Sequence, residues 1–98
     1  MNKRIGVQVS PTDNVVTVVE DAQPGDEIQY VTPEGCRQIT ASQAVPLGHK
    51  AALKDVRPKE KIIKYGQTIG TASRMIGQGE HVHIHNVHSA VQGGRSAS

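Results

Sequence analysis

Four histidines lie within eight residues near the end of the chain, at positions 81, 83, 85 and 88. Side chains on a β-strand alternate between its two faces, so a strand here would carry His81, His83 and His85 on one face. Its opposite face would carry Val82, Ile84 and Asn86, and the two apolar residues are expected to face a core. Residues i and i+2 of a strand are roughly 6.5–7 Å apart, and two imidazoles that lean inward can reach one metal ion at about 2.0–2.1 Å. At least two of these histidines are therefore predicted to bind a metal or to act in an active site. The alternative is a solvated or partner-packed face that holds no ion.

The fifth histidine, His49, follows Gly48 and precedes Lys50. Histidine is the usual general acid or base near neutral pH, and a neighbouring ammonium group lowers the pKa of an imidazole by like-charge repulsion. Imidazole also suits iron, zinc, copper and nickel, so His49, a carboxylate or a partner chain could complete the ligand set of the histidine strand. The alternative is that Gly48-His49-Lys50 is an ordinary exposed turn.

Short β-branched segments bounded by Gly and Pro supply the elements that would position these residues. Strands are predicted at residues 4–9, 15–19, 28–32, 61–65 and 81–87, with one short helix within residues 71–76. One pattern recurs at residues 24–28, 58–62 and 78–82. In each copy a turn pair is followed by polar residues and then by a β-branched residue that opens a strand. Residues 91–98 have the composition of a disordered tail. The chain is therefore predicted to be one compact, mostly β domain.

The composition restricts the class of protein. The 98 residues include no Phe or Trp, so the core must be built from small aliphatic side chains, and association with another chain or with a second copy would help it. The single cysteine, Cys36, rules out an intramolecular disulfide and fits a reducing cytoplasm. The sequence contains no apolar run near 18 residues and no signal-peptide pattern, so we expect a cytoplasmic protein with no membrane partner. Mixed charges and few aromatic residues argue against nucleic-acid binding.

Four motifs, taken in chain order, resemble those of a known family. They are Asp13-Asn14-Val15, Pro46-Leu47-Gly48-His49-Lys50, Ile63-Lys64-Tyr65-Gly66 with Ile69-Gly70, and Val82-His83-Ile84-His85-Asn86-Val87. Together they are similar to the small domain of the altronate dehydratase family, which includes galactarate dehydratase and sulfolactate sulfo-lyase. The resemblance implies a SAF domain, which is a small β-clip fold, over residues 1–90, followed by the tail at 91–98.

The resemblance also implies a function. Members of this family remove water, or sulfite in the sulfo-lyase, from 2-hydroxy acids, and the dehydratases use a divalent metal, commonly iron. Because the sequence ends soon after the histidine strand, we expect the small subunit of a sugar-acid hydro-lyase, inactive alone, that works with iron(II) and a large dehydratase subunit on an altronate-like acid. The alternatives are the small subunit of a sulfolactate sulfo-lyase, and a SAF module that binds a sugar acid or metal without chemistry or only supports a partner.

Carried over position by position, the resemblance assigns roles to eight residues. It implies a metal bound by His83 and His85, and catalytic roles for His49 and Lys50. The residues expected to contact the substrate are Asp13, Asn14, Tyr65 and Asn86. His81 and His88 lie beside the motif and receive no role from it.

Overall fold

The computed structural model describes residues 2–89 and contains nine β-strands within that range. They are β1 (Lys3–Val7), β2 (Val15–Val18), β3 (Glu27–Thr32), β4 (Gly35–Thr40), β5 (Lys50–Ala52), β6 (Lys61–Lys64), β7 (Gln67–Ala72), β8 (His81–Val82) and β9 (Val87–Ser89). Six of them form a sheet in the order β4-β3-β1-β2-β5-β8, and three form a second sheet in the order β6-β7-β9. The prediction of a mostly β domain is confirmed, while the predicted tail at 91–98 lies outside the described residues. Over residues 2–89 there is no helix long and apolar enough to cross a membrane.

The short helix predicted within residues 71–76 is wrong. Strand β7 continues to Ala72, a bend follows, and Ile76 forms an isolated β-bridge with Val56. The backbone of Ala72 is fully used by a distant segment, because its N–H donates to the carbonyl of Glu60 at 2.9 Å and its carbonyl accepts from the N–H of Lys59 at 2.7 Å. In a helix the carbonyl of Ala72 would accept from the N–H of Ile76, but that N–H donates to the carbonyl of Val56 at 2.8 Å, so the tertiary pairing excludes the helix.

Two apolar clusters make up the core, and β2 contributes to both. Val16 and Val18 belong to the first cluster, with Ile28 and Tyr30 of β3. Val15 belongs to the second cluster, which also contains Ile62, Ala72, Ile76 and Val82. The alternation of a strand explains this division, since neighbouring residues of β2 point to opposite sides of the sheet. Apart from Tyr30, the core is built from aliphatic side chains, as the composition requires.

One four-residue turn occurs four times in the described chain, at residues 23–26, 46–49, 57–60 and 77–80. In each turn the N–H of the fourth residue donates to the carbonyl of the first, at 2.9–3.0 Å. The third residue has a positive φ in every copy: Gly25, Gly48, Lys59 and Gly79. A strand follows each turn directly. The sequence pattern at 24–28, 58–62 and 78–82 therefore predicted three of the four copies, and the structure adds the one that contains His49.

Candidate metal centre

His49 closes one of the four turns, and it is the exception among the residues that do so. In the other three turns the fourth residue is Asp26, Glu60 or Glu80, and its carboxylate accepts a hydrogen bond at 2.9–3.0 Å from the N–H of the first residue. This backbone hydrogen bond is also the main reason that the pKa values of Asp26 and Glu60 lie below their ordinary values. The turn at 46–49 begins with Pro46, which has no N–H to donate. A carboxylate at position 49 would have no such donor, so His49 is free to turn its ring elsewhere.

The ring of His49 lies against His81 and His83. Strand β5 pairs with β8 so that Lys50 is opposite Val82 and Ala51 is opposite His81. This pairing brings His49, directly before β5, next to β8. His49 Nδ1 is 2.9 Å from His81 Nε2, and the ring of His49 is stacked on that of His83 with centroids 4.2 Å apart. A turn and a strand pairing therefore bring together residues 32 positions apart in sequence.

The three half-buried histidines form a set that fits a metal ion. One ring nitrogen from each of His49, His81 and His83 can be chosen so that all lie within 4.8 Å of one another. Nitrogens that ligate the same ion at about 2.0–2.1 Å are separated by about 2.9–3.4 Å, in octahedral or tetrahedral geometry. The pair formed by His49 and His81 already has such a separation, at 2.9 Å. With a ring nitrogen of His83 the set stays within 4.8 Å, and three imidazoles are a donor set that suits a borderline divalent metal.

His85 lies beside this set but does not belong to it. Its ring centroid is 5.1 Å from that of His81, and its side chain is exposed. Of the predicted metal ligands, His83 thus joins a three-imidazole cluster and His85 does not, and a metal role for either residue stays a prediction. His81, which the resemblance left without a role, joins the cluster. The alternation of a strand already placed His81 on the same face as His83, so the signal was present in the sequence.

The predicted strand over residues 81–87 is interrupted. Strand β8 ends at Val82, a turn occupies residues 83–86, and β9 begins at Val87 in the other sheet. The inward position expected for Ile84 is wrong, because its side chain is 83% exposed. Asn86, by contrast, is completely buried. Its Oδ1 accepts from the N–H of His83 at 2.9 Å, and its Nδ2 donates to the carbonyl of His81 at 2.8 Å. These hydrogen bonds bend the chain, which a local pattern of apolar residues does not reveal.

Burial favours the neutral form of two of the clustered imidazoles. The pKa values of His81 and His83 are lowered, mainly by burial and then by the neighbouring imidazoles and Lys50. A neutral imidazole has a free lone pair, which ligation of a metal requires. The electrostatic environment therefore keeps these rings available as ligands at neutral pH.

Lys50 lies half-buried next to the cluster. Burial, and to a smaller extent the charge of Lys64, lowers the pKa of its ammonium group. With His83, Ile69 and Val87, it lines a cavity of about 140 Å³. A cation in a small, partly apolar cavity is suited to hold an anionic group such as a carboxylate.

Asp13 and Asn14 lie at the other end of the β2–β5 pairing, where they bind backbone groups. The carboxylate of Asp13 accepts hydrogen bonds from the N–H groups of Ser10, Tyr65 and Gly66, at 2.8–3.1 Å. Both residues line an open groove of about 640 Å³ that contains none of the three clustered histidines. Tyr65 has a left-handed φ of 56° and an exposed ring. The contacts of Asp13, Asn14 and Asn86 are structural, and their substrate roles, like that of Tyr65, stay predictions.

Comparison with known proteins places the chain in a family. The model of the altronate/galactarate dehydratase SAF domain matches residues 4–90. The chain belongs to this family. It is 39% identical over 74 residues to (2R)-sulfolactate sulfo-lyase subunit alpha of Chromohalobacter salexigens, covering 74% of this chain and 79% of that protein. It is also 34% identical over 80 residues to altronate dehydratase of Bacillus subtilis and 36% identical over 80 residues to that of Escherichia coli, covering 82% of this chain in each case. The matched part is 15% of the length of each of these two altronate dehydratases.

Proposed function

We propose that this SAF domain is the small subunit of a sugar-acid hydro-lyase and that it contributes a bound divalent metal, iron(II), to the elimination of water from an altronate-like acid. The observation that carries the proposal is the approach of three ring nitrogens, from His49, His81 and His83, to within 4.8 Å of one another. Family membership supports the reaction class, since relatives are named as dehydratases and as a sulfo-lyase subunit.

The proposed reaction removes the proton beside the carboxylate and expels the 3-hydroxyl group. A bound metal supplies Lewis-acid stabilisation of the negative charge that develops when that proton leaves. Lys50 would bind the substrate carboxylate by a charge-assisted hydrogen bond within its small cavity and so fix the acid beside the three imidazoles. The clustered histidines would thereby act as ligands, and His49 would hold metal rather than move a proton.

A larger chain would supply the rest of the active site. In the altronate dehydratase relatives, the matched part is 15% of the length, so most of each relative lies outside the similarity. A cavity of about 140 Å³ is also smaller than the roughly 300–1,000 Å³ typical of ligand sites. We therefore expect the substrate to be enclosed between this domain and a large dehydratase subunit.

The test is to purify the chain alone and together with the larger chain recovered by affinity pull-down from its native cells. Iron(II) content and altronate turnover are then measured for the wild type, His81→Ala and His88→Ala. His88 is an exposed histidine of β9 outside the three-residue set, so its removal is the matched control. We expect metal and turnover in the pair, their loss in His81→Ala, and no change in His88→Ala. Turnover by the chain alone, or equal metal content in all three proteins, would contradict the proposal.

A second candidate is the small subunit of a sulfolactate sulfo-lyase. The similarity to the sulfo-lyase subunit alpha supports it, because the matched region is 79% of that relative rather than a small part of a longer enzyme. The same purified pair distinguishes the two functions, since sulfolactate would release sulfite whereas altronate would lose water. If neither acid reacts although the metal is bound, the result favours a SAF module that binds a sugar acid or metal without chemistry.

A further inference from the structure

Two buried asparagines make the same pair of contacts in different parts of the molecule. Asn86 accepts from the N–H of His83 at 2.9 Å and donates to the carbonyl of His81 at 2.8 Å. Asn14 accepts from the N–H of Ile63 at 2.8 Å and donates to the carbonyl of Lys61 at 2.9 Å. Each carboxamide therefore clamps residues i and i+2 of one segment, and each segment directly follows one of the four repeated turns.

The clamped segments differ in what they carry. The segment held by Asn14 carries Lys61 and Ile63, and Ile63 lines the open groove. The segment held by Asn86 carries His81 and His83, which are two of the three clustered imidazoles. The same pair of hydrogen bonds to backbone groups thus occurs once at the three clustered imidazoles and once away from them.

The histidine segment depends on its clamp because the turn has little apolar anchorage. Ile84 is 83% exposed, and the rings of His83 and His85 lie at least partly in solvent. Asn86 is completely buried, and both polar ends of its carboxamide bind backbone groups. The contacts of Asn86 in this structure are therefore with the backbone of the histidine segment.

We propose that Asn86 is a positioning residue that holds His81 and His83 at the spacing needed to ligate a metal together with His49. The inference rests on the proposed metal function. Outer residues that orient metal ligands typically change metal affinity by about 10–100-fold when replaced. Asn86 acts on two ligands at once through their own backbone groups, so its replacement moves both rings.

The experiment compares Asn86→Asp with Asn14→Asp in the full chain. Aspartate is nearly isosteric and keeps an acceptor, but it loses the donor and sets a carboxylate oxygen against the carbonyl of His81 or Lys61. Both variants should lose thermal stability, since each breaks the same buried contact. Cobalt(II), titrated below both melting temperatures and followed by its visible absorption, should bind Asn86→Asp about 10–100-fold more weakly than wild type. Asn14→Asp should bind cobalt(II) as wild type does.

Equal cobalt(II) affinity in the two variants would overturn the positioning role. A second variant, Asn86→Ser, introduces no charge and serves if Asn86→Asp does not fold, with the same loss expected. The imidazole ¹⁵N chemical shifts of His81 and His83 provide a readout without metal, and they should change in the Asn86 variants and not in Asn14→Asp. If wild type binds no cobalt(II), the proposed metal function fails, and these shifts decide the positioning role separately. Shifts unchanged from wild type in the Asn86 variants would refute it.

Discussion

Replacement of Gly79 by alanine should destabilise the protein far more than replacement of Gly25. Both glycines occupy the third position of the repeated turn, with φ values of +83° and +92°. A Cβ at position 25 would have no heavy atom within 4 Å. A Cβ at position 79 would collide with the carbonyl oxygen of Thr40 and lie 3.1 Å from the nitrogen of Ser42. The two substitutions therefore share the same conformational strain, and only one adds a collision with backbone.

The expected magnitudes follow from these contacts. Left-handed φ costs an alanine about 1–2 kcal/mol, and Lys59, with φ of 71° in the equivalent position, shows that the turn accepts a side chain. At Gly79 the backbone must also move, which threatens its hydrogen bonds to Ala52 at 2.8 Å and to Ser42 at 3.0 Å. When overpacking at about 1–3 kcal/mol and a lost buried hydrogen bond at about 1–3 kcal/mol are added to this strain, Gly79→Ala should cost about 3–8 kcal/mol.

Thermal and urea unfolding followed by circular dichroism would measure the difference. For a domain of this size about 1 kcal/mol lowers Tm by about 4–8 °C, so Gly25→Ala should lower Tm by about 4–16 °C and Gly79→Ala by at least about 12 °C. A total stability of about 5–15 kcal/mol leaves room for Gly79→Ala to be largely unfolded. Equal losses in the two variants would refute the argument, because strain alone would then explain both.

Three further outcomes are expected. Cobalt(II) at about 100 times its Kd should stabilise wild type and His88→Ala by about 2.7 kcal/mol, which raises Tm by about 10–20 °C. It should stabilise His81→Ala much less, and equal Tm shifts in all three proteins would contradict the proposed metal site. The metal-free protein should lose stability as the pH falls below about 7, measured by urea unfolding. The pKa values of His81 and His83 are lowered in the folded chain, so below the ordinary imidazole pKa of about 6.5 the unfolded chain binds more protons than the folded chain, and acid favours unfolding. Above that pH these two groups are neutral in both states and do not make the free energy of unfolding depend on pH. A flat profile between pH 7 and 5.5 would contradict the sign. Asp13→Ala should cost about 1–3 kcal/mol per unsatisfied backbone donor and leave cobalt(II) affinity unchanged, and a loss of affinity in a folded variant would favour a role at the site.

Local sequence pattern was sufficient for four of the nine described strands, β1, β2, β3 and β6, and for most of the turns. The β-branched run at residues 15–18 forms β2 because such side chains fit a pleated surface, and Pro-Gly or Gly punctuation places the turns where a positive φ is needed. Period-two alternation also put His81 and His83 on one face, and their ring contact agrees with that placement, whereas the contact of His81 with His85 comes from the turn after β8. These features depend on neighbours in sequence, so the sequence carries them.

Long-range contacts decided the remaining features. Ala72 ends a strand rather than entering a helix because its backbone groups bind Lys59 and Glu60. Asn86 is buried and Ile84 is exposed because a carboxamide clamp bends the chain after β8, against the apolar pattern.

The sequence by itself determined that the chain is a mostly β domain with a histidine-rich segment, and its motifs were enough to indicate the family. Only the tertiary structure decided which histidines meet. His49 reaches His81 because β5 pairs with β8 and because Pro46, which has no N–H, gives the fourth residue of this turn no backbone donor to bind. Strand pairing joins residues that are far apart along the chain, and a local pattern of side chains does not indicate which distant segments will pair.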